Sequence, residues 1–478
     1  MLAHAAAILL FATAADPEAQ APVEPPVEAQ PQAQAQLSVP TVAPAPLPAP
    51  SAPLDPPFLF GSYGRLQLGW DLADRPGRPV NVVGHGPRLV EDSYEELNFY
   101  YRIMDPRGEA RTDVHLVTAL GFSEDLFHYN GKFSASIAVR NLYIEVGNLF
   151  IKDLGLWFGS RMYRGDDLYL LDFWPLDNLN TLGGGLTWRY RDLQLDLAVG
   201  ANRLDNSYQL EVLRAPSTDG QGQQWFAMER QRTIVSLRGT YPVGPVQLRA
   251  YLERHDLPAG QRTNPDSGEL QALPRDSGWV VGAQVSGAHK GLSGMLVAKY
   301  CRGLGAFGDL TVPYGFSLDR SVTSASLTVV AAGVSYEHSR FALPVAAYFA
   351  SFRDATGLDV NGRNYEEVVL DARPTVYAHD ILHIALDVSY QLRAPHTLTP
   401  DGSRPIREGV WQIGIMPMIV PGGAGLWTRP AIRLIYAVRV LSQDARNDLF
   451  ATEDPRNGRA VSQFIGAGVE WWFNSSYR

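Results

Sequence analysis

The chain has 478 residues, with 41 Lys and Arg against 50 Asp and Glu and a formal net charge of −9. That balance excludes a nucleic-acid partner held through phosphate contacts, which needs a basic surface. The single cysteine, Cys301, excludes an internal disulfide and a Cys-rich zinc centre, and the ten His residues lack any His-Glu-x-x-His spacing, so neither a metal nor another cofactor finds a home.

The first residues bear on compartment. Leu2 to Ala14 is an apolar run too short to span a bilayer and ends in Ala12-Thr13-Ala14, the small-x-small form of a secretory cleavage site. A signal peptide is therefore expected over residues 1–15, although a basic n-region is missing. From Asp16 to Pro57 no aromatic residue occurs, and thirteen of the 34 prolines fall at or before Pro57. Such a stretch lacks the apolar bulk to offset ordering entropy, so residues 16–57 are expected to form a disordered, partly polyproline linker.

At Phe58 the texture changes to short alternating segments divided by Gly, Pro, Asp and Asn, and it persists to Phe473. Leu186, Trp188 and Tyr190 alternate with Thr187 and Arg189; Leu193, Leu195, Leu197 and Val199 follow across Arg191-Asp192, which predicts a hairpin. Val246, Leu248, Ala250 and Leu252 share one face, with Gln247, Arg249, Tyr251 and Glu253 on the other. In the last segment Ile465, Ala467, Val469, Trp471 and Phe473 oppose Phe464, Gly466, Gly468, Glu470 and Trp472.

Such strands suit either a soluble sandwich with apolar residues inward or a membrane barrel with apolar residues outward. Very short turns alternating with long polar loops such as Arg203 to Arg232, and aromatics near strand ends (Trp157-Phe158, Trp188/Tyr190, Trp471/Phe473), favour the barrel. At roughly ten residues per strand plus connections, residues 58–473 accommodate about 14 to 20 strands. The expectation is an all-β, transmembrane antiparallel barrel of about 18 strands with a C-terminal tail over 474–478, and a barrel of that size holds an aqueous channel.

The opening strand, Phe60-Gly61-Ser62-Tyr63-Gly64-Arg65-Leu66-Gln67-Leu68-Gly69-Trp70, resembles that of the maltoporins, trimeric sugar-selective barrels of the bacterial outer membrane. Arg88-Leu89 with Tyr94-Glu95-Glu96-Leu97 is similar to the family's next segment. Leu156-Trp157-Phe158-Gly159-Ser160-Arg161-Met162-Tyr163 and Asp166 to Asp177 resemble the stretch leading into and forming its constriction loop. Near the C-terminus Leu426 to Arg433 resembles a family strand, and Val469-Glu470-Trp471-Trp472 its closing one.

This resemblance implies an outer-membrane, homotrimeric channel in which pyranose rings slide over aromatic side chains while a polar track meets their hydroxyls. Carried over residue by residue, Tyr63, Tyr94, Trp427 and Trp472 match the aromatic slide, with Trp174 at the family's constriction Tyr. Arg65, Arg88, Glu96, Arg140 and Asp172 match the polar track. Arg164 lies one place from a family constriction Arg, whose counterpart is Gly165. Val281 stands where the family's slide has Phe, and the loop that reaches a neighbouring subunit offers Phe127 or Tyr129. The chemistry is general: a sugar shows C–H groups on its faces and hydroxyls at its rim, which suits aromatic planes beside charged hydrogen-bonding groups.

Two other readings stay open: a porin for a different, anionic solute, given Arg65, Arg88, Arg140 and Arg164, and a barrel enzyme or anchor. Asp166/Asp167 and Asp172/Asp177 are carboxylate pairs of the kind glycoside hydrolysis uses, but sequence supplies no separation, so no catalytic residue is assigned. Gly303-Leu304-Gly305-Ala306-Phe307-Gly308 fits a nucleotide-loop pattern but precedes Pro313 without a helix pattern, and reads as a loop.

Overall fold

The computed structural model describes residues 58–72, 75–104, 113–123, 137–206, 208–216, 223–264, 267–358 and 363–475. The expected signal peptide, the linker, Phe127, Tyr129 and the last three residues lie outside them.

Eighteen antiparallel strands close into one barrel: β1 Phe58–Trp70, β2 Tyr94–Met104, β3 Asp113–Ser123, β4 Ile137–Gly147, β5 Leu154–Arg164, β6 Asn178–Tyr190, β7 Leu193–Asn202, β8 Arg232–Val243, β9 Val246–Leu257, β10 Asp276–His289, β11 Leu292–Gly303, β12 Ser326–His338, β13 Phe341–Arg353, β14 Tyr365–Ala372 continuing as Thr375–His379, β15 Leu382–Pro395, β16 Glu408–Ile419, β17 Ala431–Leu441 and β18 Val461–Phe473. Each pairs with its neighbour in sequence, and β1 closes on β18. The break in β14 falls at Arg373-Pro374, where proline has no N–H to give the ladder.

The period-two pattern settles which face meets lipid. On β8 and β9, Val235, Leu237, Leu248 and Leu252 are exposed, while Arg232, Arg238, Arg249 and Glu253 are buried in the interior. The apolar residues that a soluble sandwich would hide therefore line the outside, as in a barrel bathed in hydrocarbon. Phe158, Trp188, Tyr190 and Phe473 share this outer face; Trp157, expected in the same girdle, points inward and is buried. Short connections such as Arg191-Asp192, with Arg191 at φ 54°, gather at one end of the barrel and long loops at the other. The long loop after β7 carries its own ribbon, Leu210–Pro216 paired with Gln223–Glu229.

The interior departs from a uniformly wet bore. Among the described residues three long loops fold inward, at residues 75–93, 165–177 and 304–325, the last opening with a 3-10 turn at Leu304–Phe307. Their Val82, Leu168, Leu170, Phe173 and Phe307 pack against inward-facing Tyr251, Val297, Val329 and Val369 of the wall. Loop contacts are fixed through the backbone: Arg88 N–H donates to the Leu170 carbonyl at 2.9 Å and Val82 N–H to Gln391 Oε1 at 3.2 Å. Part of the lumen is thus filled by an apolar core, while buried charged groups line the wall elsewhere, among them Arg238 and Arg249 on β8 and β9 and Glu470 on β18.

Candidate functional site: an aromatic and arginine-lined constriction

Strand register assembles the site across the closing seam. Tyr63 sits opposite Trp472 on β18 and opposite Glu96 on β2; two residues on, Arg65 sits opposite Glu470 and Tyr94. Because side chains two apart share a face, this makes a patch on the inner wall in which rings alternate with charges.

The rings form a connected series. Tyr63 and Tyr94 have centroids 5.9 Å apart, Tyr63 and Trp472 lie near-parallel at 6.5 Å, Trp472 meets Tyr169 edge-on at 6.1 Å, and Tyr169 meets Trp427 edge-on at 5.0 Å. Tyr63 and Trp174 are buried against each other with Tyr94 and Trp472 partly buried beside them, so four of the five aromatics expected from the sequence form one cluster and Trp427 joins it through Tyr169. Tyr169, from the inward loop, joins the rings on β1, β2 and β18 to Trp427.

The charged groups form a second series beside the first. Arg65 lies 3.2 Å from Glu91 and 3.7 Å from Asp172. Arg88 donates to Glu470 at 3.0 Å and to the Tyr63 hydroxyl at 2.9 Å, and approaches Asp172 at 4.0 Å. Tyr94 O–H donates to Glu96 at 2.7 Å, and Arg140 lies 3.8 Å from Glu96. All five expected polar residues are therefore brought together.

Glu470 is the centre that the sequence reading did not single out. Fully buried, it accepts from Arg88, from Arg429 at 2.9 Å and from the Tyr169 hydroxyl at 2.9 Å, and it lies 3.7 Å from Arg433. It ties the loop before β2, the constriction loop and the connection before β17 to the closing strand. The clue was present: Glu470 shares the period-two face of Trp472, and Arg429 and Arg433 stand in the same short motif as Trp427. That motif is not one strand, however. Residues 426–430 form a turn, and β17 begins only at Ala431.

Guanidinium groups cover the rings. Arg429 stands 4.0 Å over Trp472, Arg164 4.0 Å over Trp174, and Arg88 4.7 Å over Tyr169, while Arg65 and Arg140 lie 5.6 and 5.7 Å from Tyr94. A second group, also missed, lies on β4 and β5, where Arg161 is within 4.5 to 5.2 Å of Tyr143, Trp157 and Tyr163. Val281 is outside the site altogether: it is exposed on the outer wall of β10, so its departure from Phe leaves the lumen unchanged.

A closed antiparallel barrel with an apolar exterior and a constricted lumen lined by charges and rings is an outer-membrane porin, a channel-forming protein of the bacterial outer membrane. The sequence model of the LamB porin family matches residues 58–473, and the chain belongs to that family. No functionally curated protein matches it at the level of sequence. Similar solved structures include OpdQ of Pseudomonas aeruginosa (10% identity, TM-score 0.45, covering 87% of this chain and 98% of that one). OccK10 (OpdN) of the same organism is 12% identical, with TM-score 0.44 and coverage of 87% and 99%. OmpT of Vibrio cholerae is 10% identical, with TM-score 0.41 and coverage of 87% and 98%.

Proposed function

We propose that this porin passes saccharides by facilitated diffusion, as a homotrimer, with the partly exposed rings of Tyr94, Trp427 and Trp472 as stacking surfaces, the buried rings of Tyr63 and Trp174 backing them, and Arg65, Arg88, Glu96, Arg140 and Asp172 as the polar track. The observation that carries this reading is the connected series from Trp427 through Tyr169, Trp472 and Tyr63 to Tyr94, with charged groups running beside it. An oligosaccharide on this series keeps one ring stacked while the next forms its contact.

Passage requires weak binding. A dissociation constant near 1 mM corresponds to about −4 kcal/mol, and with association at about 10⁶ M⁻¹s⁻¹ the sugar leaves on the order of 10³ times per second. The arrangement supplies that weakness, because a sugar stacking on Trp472 displaces or shares the face with Arg429. An arginine–aromatic contact is worth about 0.5–2 kcal/mol, so the exchange of one contact for another leaves a small net gain. Planar-bilayer current with added maltodextrins tests the reading: concentration-dependent block supports it, and unblocked ion current at saturating sugar defeats it.

A second reading, an anionic solute without a sugar ring, is favoured by the guanidinium groups over Trp472, Trp174 and Tyr169. Reversal potentials in a KCl gradient separate the two, since strong anion preference without sugar block selects the second.

A further inference from the structure

The outer wall carries a feature that the channel does not use. On β9, β10 and β11, Arg254, Trp279 and Arg302 are directly opposite one another and all three are exposed on the lipid side. The row continues through Ser326 on β12 to Arg353 on β13. Four inter-strand steps of about 4.8 Å make it roughly 19 Å long. Arg275, at the start of the same face, has a side chain 74% exposed. Two carboxylates stand against these four guanidinium groups: Asp256 bonds Arg254 at 2.9 and 3.0 Å and lies 3.8 Å from Arg275, and Glu366 pairs with Arg353.

Depth along the barrel gives the row its meaning. Nine residues separate Val246, at the short turn, from Arg254, counted inclusively, and a tilted strand needs about nine to eleven residues to cross the hydrocarbon. Below the row the outward positions are apolar: Leu252, Val281 and Tyr300 on the next level, then Ala250, Ala283 and Ala298. Short turns face the periplasm and long loops the exterior, so the arginines lie where outer-leaflet head groups begin. An apolar groove of about 510 Å³, floored by Leu237, Leu252, Trp279 and Val281, runs down from Arg254. At the corresponding level on β16, β17 and β18 the outward residues are Trp411, Val440 and Val461, with no cation among them.

We propose that this face holds a phosphorylated lipid of the outer leaflet, its phosphate esters on Arg254, Arg302 and Arg275 and an acyl chain in the groove against Trp279. Charge complementarity selects the occupant: a cationic row meeting an apolar groove fits an anionic head group on a hydrocarbon tail, and guanidinium is the side chain suited to phosphate. A second copy of the chain would instead bury unmatched arginines.

The test uses the full-length protein in detergent micelles doped with lipid A carrying two phosphates, with the same lipid lacking phosphate in a parallel arm, and native mass spectrometry counts retained lipid. Retention of the phosphorylated lipid is expected to exceed that of the phosphate-free lipid by roughly tenfold or more, and the R254Q/R302Q variant is expected to lose that excess. Open-pore conductance stays unchanged in the variant because both side chains face away from the lumen. Equal retention of the two lipids by the unsubstituted protein overturns the proposal even where the variant fails to fold. A variant that retains lipid as before overturns it too, and a changed oligomeric state with unchanged lipid retention assigns the row to a subunit contact instead.

Discussion

Replacing Glu470 with Gln keeps the side chain's shape and one acceptor oxygen but removes the negative charge shared by three arginines. The consequences follow from its partners. Arg88 retains Glu91 and Asp172, whereas Arg429 and Arg433 have no carboxylate other than Glu470 among the described ion pairs. Removing one member of a buried ion pair costs about 3–5 kcal/mol, because the remaining charge stays buried and uncompensated. Arg429 then leaves the face of Trp472 and the Tyr169 hydroxyl, which it meets at 2.7 Å, and the inward loop loses its tie to the closing strand. The electrical effect is separable. Loss of the carboxylate leaves Arg429 and Arg433 uncompensated beside the lumen and makes the local potential more positive. E470Q is therefore expected to move the reversal potential in a KCl gradient toward anion preference and to lower the temperature at which the barrel converts to its unfolded gel mobility. Unchanged values for both would refute the placement of Glu470 at the centre of the constriction.

Other perturbations probe separate parts of the molecule. Trp427→Ala removes the ring that Tyr169 meets edge-on, and an aromatic contact of about 1 kcal/mol predicts roughly fivefold weaker sugar block with little change in open conductance; equal loss of both counts against stacking. A Cβ on Gly333 would lie 2.5 Å from Leu168 Cδ2, so Gly333→Leu overpacks the contact between wall and constriction loop by about 1–3 kcal/mol and should increase current noise, with a quiet, unaltered trace as the contrary result. Outside the membrane, Asp444 accepts from Arg404 at 2.6 and 2.8 Å and from the Arg407 N–H, joining two long loops, and the Arg404 bond holds its carboxyl below the ordinary value of 3.8. A lowered carboxyl pKa stabilises the clasp above the unfolded value and is lost as pH falls through the folded one. Below about pH 3.8 the loops should therefore become more open to protease, an effect that Asp444→Asn reproduces at neutral pH; acid-insensitive cleavage would contradict it.

The strand pattern was legible because its period is local. Leu248 and Leu252 against Arg249 and Glu253, or Ile465 and Phe473 against Glu470 and Trp472, state in a few residues which groups share a face, and short turns against long loops give the barrel its two ends. Tyr63, Arg65 and Trp472 could be named as site residues because resemblance to a family carried them over together. Trp157 and Val281 show the limit of that reading. Each sits in a strand whose neighbours are aromatic or small, and only the paired wall shows that Trp157 turns into the lumen and Val281 out of it.

What the chain determines alone is the alternation of greasy and polar faces and the succession of short turns and long loops, since these need no partner beyond the next strand; that the apolar face points outward to lipid is decided by the closed wall. Only the tertiary structure decided what stands inside. Closure of β18 on β1 sets Tyr63 beside Trp472 across more than four hundred residues, and the inward loops turn part of the lumen into packed core. Glu470 becomes the hub because groups from two loops, a turn and two strands converge on it, and such convergence is set by three-dimensional register, which no spacing along the sequence records.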